Sequence, residues 1–316
     1  MNRDARVYVA GHRGLVGAAI LRRLAALGYA NLLVRTHDEL DLTDQAATSA
    51  FFTAERPEHV VLAAAKVGGI GANSAYPADF IYENLAIAMN VIEAARAAGV
   101  TKLLNLGSSC IYPRLAPQPL TEDALLTGPL EPTNEPYAIA KIAAIKLCAA
   151  YNRQHGTSFV SIMPTNLYGP GDRYDLEAGH VIPTLIARFH EAKTSGTDRV
   201  TLWGDGSPLR EFLYVDDLAE AAVRVLAEVD PADAGELLNV GSGEEVSIAD
   251  LAALVRDVVY ADATGRTCAI EWDTDRPNGT PRKLLDSSRL HSLIDWRPTT
   301  PLAEGLRLAY AEYLAR

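Results

Sequence analysis

The chain has 316 residues, 48% of them hydrophobic and 22% charged, with a formal net charge of −11. That length can bury a large core in one large domain or two smaller ones, and the acidic balance argues against a general nucleic-acid surface, which needs a basic face. No uncharged apolar run is long enough for a membrane span, and the start, "MNRDARVYVAGHRG", lacks a signal peptide's apolar stretch, so a cytoplasmic protein is expected.

In chain order, "RVYVAG" (6–11) reads as a buried strand and "GAAILRRLAALG" (17–28) as an amphipathic helix ending at a glycine. "LLVRT" (32–36), "HVVLAAA" (59–65) and "KLLNLGS" (102–108) read as further strands, with the helical stretch 80–99 between the last two. "FVSIMPTNL" (159–167) and "LLNVGSG" (237–243) continue the series. Strand–helix alternation of this kind implies an α/β fold: a doubly wound parallel sheet of Rossmann type, covered on both faces. The pattern loosens after about residue 166. The expected division is a dinucleotide-binding domain (1–165 plus 214–241) and a smaller α/β substrate-binding lobe (166–213 plus 242–316) over the carboxyl ends of the strands.

The three cysteines, Cys110, Cys148 and Cys268, are widely spaced and form no CxxC pair, so neither a disulfide framework nor a metal site is expected. "AGHRGLVG" (10–17) places Gly11, Gly14 and Gly17 between a strand and a helix. Glycine lets the backbone approach a pyrophosphate closely, and the helix start offers free amides and a positive dipole end. Arg35 and His37 stand near the end of the second strand, with Arg13 inside the loop, which favours the 2′-phosphate of NADP(H); Asp38 and Glu39 leave NAD open.

Tyr137 and Lys141, in "EPYAIAK", lie one helical turn apart on one face. An ammonium there stabilises the phenolate and lowers the phenol's pKa. Ser108, at the end of "NLGS", can hold a substrate carbonyl while Tyr137 passes it a proton.

Here the chain resembles the short-chain dehydrogenase/reductase superfamily in its extended, nucleotide-sugar-modifying form. "AGHRGLVG", "SSCIYP", "YAIAK", "PTNLYGPGDRYD", "REFLYVDDLA" and "NVGSG" occur in that family's order. The resemblance implies that Ser108, Tyr137 and Lys141 form the catalytic set, with Lys141 also on the nicotinamide ribose. It implies that Pro164, Asn166 and Leu167 lie along the nicotinamide, and Asp41 and Leu42 beside the adenine. "GSSCIYP", "AAAKVGGIGAN", "EPTNEPYAIAKIA" and "HVIPTLIARFHEA" are together similar to the GDP-L-fucose synthase family. That family inverts carbons 3 and 5 of GDP-4-keto-6-deoxy-mannose and reduces the carbon-4 ketone with NADPH. The resemblance implies that Cys110 and His180 are the epimerisation pair, with His180 also at the cofactor. A thiolate is a competent base, and imidazole can give or take a proton near neutrality.

A GDP-sugar carries two phosphates, so an acidic protein must gather cations where they bind. Arg188, Arg210, Arg276, Arg282 and Lys283 lie in the smaller-lobe segments. By resemblance Arg210 contacts the diphosphate, Arg188 and Trp203 lie on the nucleotide side, and Arg276 occupies an epimerase-type "RPG" loop that reads "RPNG" here. The ordinary alternatives are Cys110 as a small buried hydrophobe, His180 and the Asp216–Asp217 pair as helix caps, and Trp203 as core. The competing functions are a nucleotide-sugar 4-epimerase, 4,6-dehydratase or simple reductase of the same fold, and a non-catalytic NADP-sensing regulator. "SSCIYP" lacks a dehydratase's acidic pair, and a regulator of that kind generally lacks the Tyr–Lys pair. Helices near 80–98 and 137–153 are expected to form a homodimer.

Overall fold

The apolar run after Arg6 becomes β1 (Val7–Ala10), buried along its whole length, and the glycine turn after it feeds α1 (Leu15–Ala26). The computed structural model describes residues 1–176, 179–263, 265–276 and 278–316. After α1 come β2 (Leu32–Leu33), α2 (Gln45–Glu55), β3 (His59–Leu62), α3 (Ile70–Ala75) and α4 (Pro77–Ala97). Next are β4 (Lys102–Leu106), α5 (Glu135–His155), β5 (Phe159–Pro164), β6 (Asn166–Tyr168) and α6 (Val181–Ser195). The chain then builds β7 (Arg199–Trp203), β8 (Leu209–Tyr214), α7 (Val215–Glu228), α8 (Pro231–Ala234) and β9 (Leu238–Val240). It ends with β10 (Glu245–Ser247), α9 (Ile248–Val259), β11 (Ala269–Asp273), β12 (Arg282–Lys283), α10 (Ser288–Leu293) and α11 (Leu302–Leu314).

Six strands form one sheet in the order β2-β1-β3-β4-β5-β9, every pair parallel. Side chains alternate between its faces, as strand geometry requires. Val7, Val9, Val61, Leu104 and Ile162 pack against α1 and α7; Tyr8, Val60, Leu62, Leu103 and Phe159 pack against α2, α4 and α5. The sheet is therefore doubly wound. β2 and β3 leave β1 on opposite sides, which opens a crevice at the carboxyl end of β1.

Two strand readings are corrected. The strand at 32–36 is only Leu32–Leu33, paired with Val7 and Tyr8. Beyond it Arg35 caps its own chain, donating to the Val34 carbonyl at 2.7 Å. The strand at 159–167 is two strands. Pro164, lacking an amide hydrogen, ends β5; after Thr165 the chain leaves the large sheet, and β6 pairs with β8.

β8 is the centre of a second sheet, β10-β8-β12, with β6 along its side; β7 and β11 form a separate parallel pair. A second core, including Tyr168, Phe189, Phe212, Leu251, Val255 and Leu306, lies among α6, α9, α11 and these strands. Cys268 is buried in that core just ahead of β11 and not on a strand, and Cys148 is buried between α5 and the large sheet. Asp216 and Asp217 sit inside the first turn of α7, whose N-cap is Tyr214. The Asp217 carboxylate instead accepts the amides of Thr299 and Thr300, at 3.1 and 3.0 Å, and fixes the strap that leads into α11.

Candidate active site

The loop between β1 and α1 is shaped by contacts that exclude side chains. A Cβ on Gly17 would stand 2.2 Å from the Gly11 carbonyl oxygen, and one on Gly11, at φ +83°, would stand 2.7 Å from the Ala64 amide nitrogen. Gly14 is the N-cap of α1, and no side chain caps that helix. Its first-turn amides therefore face the crevice, where a phosphate can take them. The Nδ1 atom of His12 is buried there without a partner among the described residues. These features fit a dinucleotide's pyrophosphate.

Arg13 and Arg35 both act on the Glu39 carboxylate, so they converge at the end of β2. Glu39 is held below the ordinary carboxylate range, first by the Thr36 amide and hydroxyl and then by these arginines. Arg35 also pairs with Glu55 and stacks 5.2 Å from the Phe51 ring centroid, which fixes its direction. His37 is exposed, 3.9 Å from Asp41. Asp41 accepts the Thr43 amide at 2.9 Å, and the carbonyls of Leu42 and Thr43 receive the side-chain amide of Asn90.

The second part of the site forms where β4 ends. Ser108 follows the strand, and a single 3-10 turn, Ser109–Ile111, turns Cys110 inward. Cys110 is 7% exposed and belongs to one apolar cluster with Ile111, Ile142, Met163 and Leu285, with Tyr137 at its edge. α5 brings Tyr137 and Lys141 to the same place. Lys141 Nζ donates to the Leu106 carbonyl at 2.9 Å and lies 5.8 Å from the Tyr137 ring centroid. Phe80, from α4, meets the Tyr137 ring edge-on at 6.2 Å.

Burial governs the protonation here. It pushes the Cys110 thiol up; the Ser108 hydroxyl, Lys283 and Lys141 pull it back. It pushes the Tyr137 phenol up as well, against the smaller pull of Ser108. It brings the Lys141 ammonium down to about 8. The expected lowering of the phenol by Lys141 is thus not what the ligand-free chain shows. Lys141 is not among the groups acting on the phenol; burial and Cys110 raise it, and it is held protonated, ready to donate. Ser108, Cys110, Tyr137, Lys141 and Lys283 come together.

His180 is not among the groups that act on Cys110, Tyr137, Lys141 or Lys283. It occupies the N-cap of α6, exposed, and its side chain makes no capping bond. Its charged neighbour is Asp172, a buried carboxylate that burial pushes up and His180 pulls down. Asp172 lies inside the quoted "GPGDRYD" stretch, yet nothing in the sequence singled it out.

Pro164, Asn166 and Leu167 line the break between the two sheets, and the Asn166 side-chain amide donates to the Glu211 carbonyl at 2.9 Å. Of the expected phosphate cations, Arg210 and Lys283 lie directly opposite each other on β8 and β12. Arg188 donates to the carbonyls of Thr201 and Leu176. Trp203 is 61% exposed and so not core, with Arg276 stacked 5.1 Å from its ring centroid. Arg276 is held by Asp273 at 3.7 Å, and Pro277, next in that loop, lies outside the described residues. Sequence reasoning missed Glu211. It is fully buried beside Arg210, and its carboxylate accepts the amides of Gly243 and Leu285 at 2.8 and 3.0 Å.

The profile of the NAD dependent epimerase/dehydratase family matches residues 7–241. A probable GDP-L-fucose synthase 1 from Oryza sativa subsp. japonica is 57% identical over 314 residues, covering 99% of this chain and 93% of the relative. The GDP-L-fucose synthase of Escherichia coli (strain K12) is 52% identical, covering 98% of this chain and 96% of the relative. Among solved structures, a GDP-mannoheptose C4 reductase from Campylobacter jejuni with NADP bound superposes with a TM-score of 0.90 at 36% identity, covering 99% of each chain. A cofactor loop at the switch of a doubly wound sheet, a Ser–Tyr–Lys set below it and full-length likeness all agree: the chain belongs to the NAD dependent epimerase/dehydratase family, on its GDP-L-fucose synthase branch.

Proposed function

We propose that the chain converts GDP-4-keto-6-deoxy-D-mannose to GDP-L-fucose, inverting carbons 3 and 5 and then reducing the carbon-4 ketone with NADPH. The observation that carries this reading is the meeting of a buried thiol with the reductase set: one hydroxyl, Ser108, acts on both Cys110 and Tyr137. A simple 4-reductase or 4-epimerase has no use for that thiol.

Carbons 3 and 5 are both α to the ketone. The Cys110 thiolate takes the α-proton, and the C–H electron pair moves into a carbon–carbon double bond as the carbonyl pair moves onto oxygen. Ser108 and the protonated Tyr137 donate to that oxygen and stabilise the enolate. His180 returns a proton to the carbon from the opposite face. Proton exchange with water then resets the pair for the second carbon.

In reduction, Tyr137 donates its proton to the ketone oxygen while Lys141 holds the ribose of the cofactor. NADPH supplies the hydride. Arg13 and Arg35, with His37 nearby, take the 2′-phosphate, and the α1 amides and the loop of Gly11, Gly14 and Gly17 take the pyrophosphate. Asp41 and Leu42 border the adenine; Pro164, Asn166, Leu167 and His180 border the nicotinamide. Arg210 and Lys283 take the GDP diphosphate, with Arg188, Trp203 and Arg276 toward the nucleotide. The proposed division of labour is 1–165 plus 214–241 for the dinucleotide and 166–213 plus 242–316 for the nucleotide sugar, although Leu290, Ile294 and Trp296 of the second set pack into the core of the large sheet. The same reading makes the protein a cytoplasmic homodimer. Three unpaired cysteines support a reducing compartment, and exposed Tyr82 and Met89 on α4 and Ile139 on α5 support a second copy packed on those helices.

The test is incubation with GDP-4-keto-6-deoxy-D-mannose and NADPH in deuterated water. GDP-L-fucose bearing deuterium at carbons 3 and 5 is expected. A product reduced at carbon 4 but unlabelled and uninverted would leave only a ketone reductase.

A further inference from the structure

We propose that Lys283 is a positioning residue for Cys110, the cation that keeps its thiol available as a base. The inference rests on the reading of Cys110 as the epimerisation base and gives that base its missing electrostatic support. It begins with the strand that carries Lys283. β12 pairs with β8, which places Lys283 opposite Arg210. Immediately beyond, the chain is stitched to the segment that follows Cys110. The Leu120 amide donates to the Leu284 carbonyl at 2.7 Å, and the Leu284 amide donates to Gln118 Oε1 at 2.9 Å. Leu285 then packs in the same apolar cluster as Cys110. The cation and the thiol are therefore fixed to one rigid patch, although the sequence keeps them far apart.

The groups acting on the thiol are Ser108, Lys283 and Lys141, and the thiol in turn acts on Tyr137. The groups acting on the Lys283 ammonium are Cys110, Arg210 and Glu131. The two lysines are not equivalent. Lys141 donates to the Leu106 carbonyl and stands against the Tyr137 ring, committed to the reductase set. The Lys283 side chain makes no hydrogen bond or salt bridge with another described residue, and Cys110 comes first among the charges that act on it. Burial pushes the thiol up and the ammonium down, and each charge opposes the other's shift. Arg210 works against Lys283 from across the strand pair.

The experiment is a titration of thiolate absorbance near 240 nm on the ligand-free full chain, with the matching Cys110→Ser protein subtracted in each background. In Lys283→Met the Cys110 midpoint is expected to rise by about one to two pH units, so the thiolate fraction at a fixed pH below it falls about 10- to 100-fold. In Lys283→Arg, which keeps the charge, the midpoint stays at or below that of the parent. Lys283→Gln, one atom shorter but still a hydrogen-bond donor, gives the same comparison should the Met variant not fold. A midpoint unmoved by losing the charge overturns the proposal. Because the titration uses no substrate, it separates the two claims. A shifted midpoint in a protein whose thiol proves unnecessary for deuterium exchange would sink the catalytic role of Cys110 and leave this coupling standing. An essential thiol with an unmoved midpoint would do the reverse.

Discussion

The crevice over β1 and the pocket beyond β4 are built by different means. The crevice is made of backbone. One strand, one turn and one helix supply it, and its shape depends on the absence of side chains at Gly11 and Gly17. The pocket is made of side chains drawn from four places: the turn after β4, α5, β8 and β12. A site of the first kind needs a local pattern and is robust to the rest of the chain. A site of the second kind exists only when the small sheet is docked correctly, and its charges are set in part by neighbours remote in sequence.

That difference can be broken from the pocket side first. Lys141→Met is expected to slow ketone reduction about 10²- to 10⁴-fold, as the loss of a proton-transfer set does. The unaltered protein should show a matching pH dependence. Burial brings the Lys141 ammonium down to about 8, so its charge is present below that pH and is lost as pH rises through it. Reduction of an already epimerised ketone should therefore fall above about pH 8, a limb that Lys141→Arg moves upward. A rate flat to strongly alkaline pH would contradict this.

From the crevice side, Gly17→Val puts a side chain where a Cβ already stands 2.2 Å from the Gly11 carbonyl. Overpacking of that kind costs about 1–3 kcal/mol, so NADPH binding read by fluorescence titration should weaken about 10- to 100-fold. The cysteine's titration should not change. If it did, the two regions would not be independent. The last expected effect joins them. Glu211→Ala strands the amides of Gly243 and Leu285, at about 1–3 kcal/mol each, and loosens the small sheet from the end of β9. Thermal denaturation should show a lower midpoint, and an unchanged melt would remove Glu211 from the account.

The same contrast explains what was legible in the sequence. Strand–helix alternation and the Gly11–Gly14–Gly17 spacing are local signals, and they appear in the structure as a doubly wound sheet with an open helix start. Tyr137 and Lys141 share a helix face for the same reason. The edge strand at Leu32 came out shorter than its apolar run, because only its first two residues find partners on β1. The run through Pro164 hid a change of sheet that is decided by β8, a strand the eye meets much later in the chain. The closeness of Lys283 to Cys110 and of Asp172 to His180, and the buried Glu211, were not legible at all. No periodicity records a contact made by tertiary docking. The raised phenol of Tyr137 was misjudged because burial, unlike a neighbouring charge, cannot be counted along the sequence.

The account depends most on a thiol acting as base beside a tyrosine acting as acid. Its sharpest test is the exchange of solvent deuterium into carbons 3 and 5 of GDP-4-keto-6-deoxy-D-mannose by Cys110→Ser, with NADPH binding measured on the same sample. Exchange should drop by about 10²-fold or more while the cofactor binds as before. Exchange at the parent's rate, with the cofactor bound, would contradict the assignment.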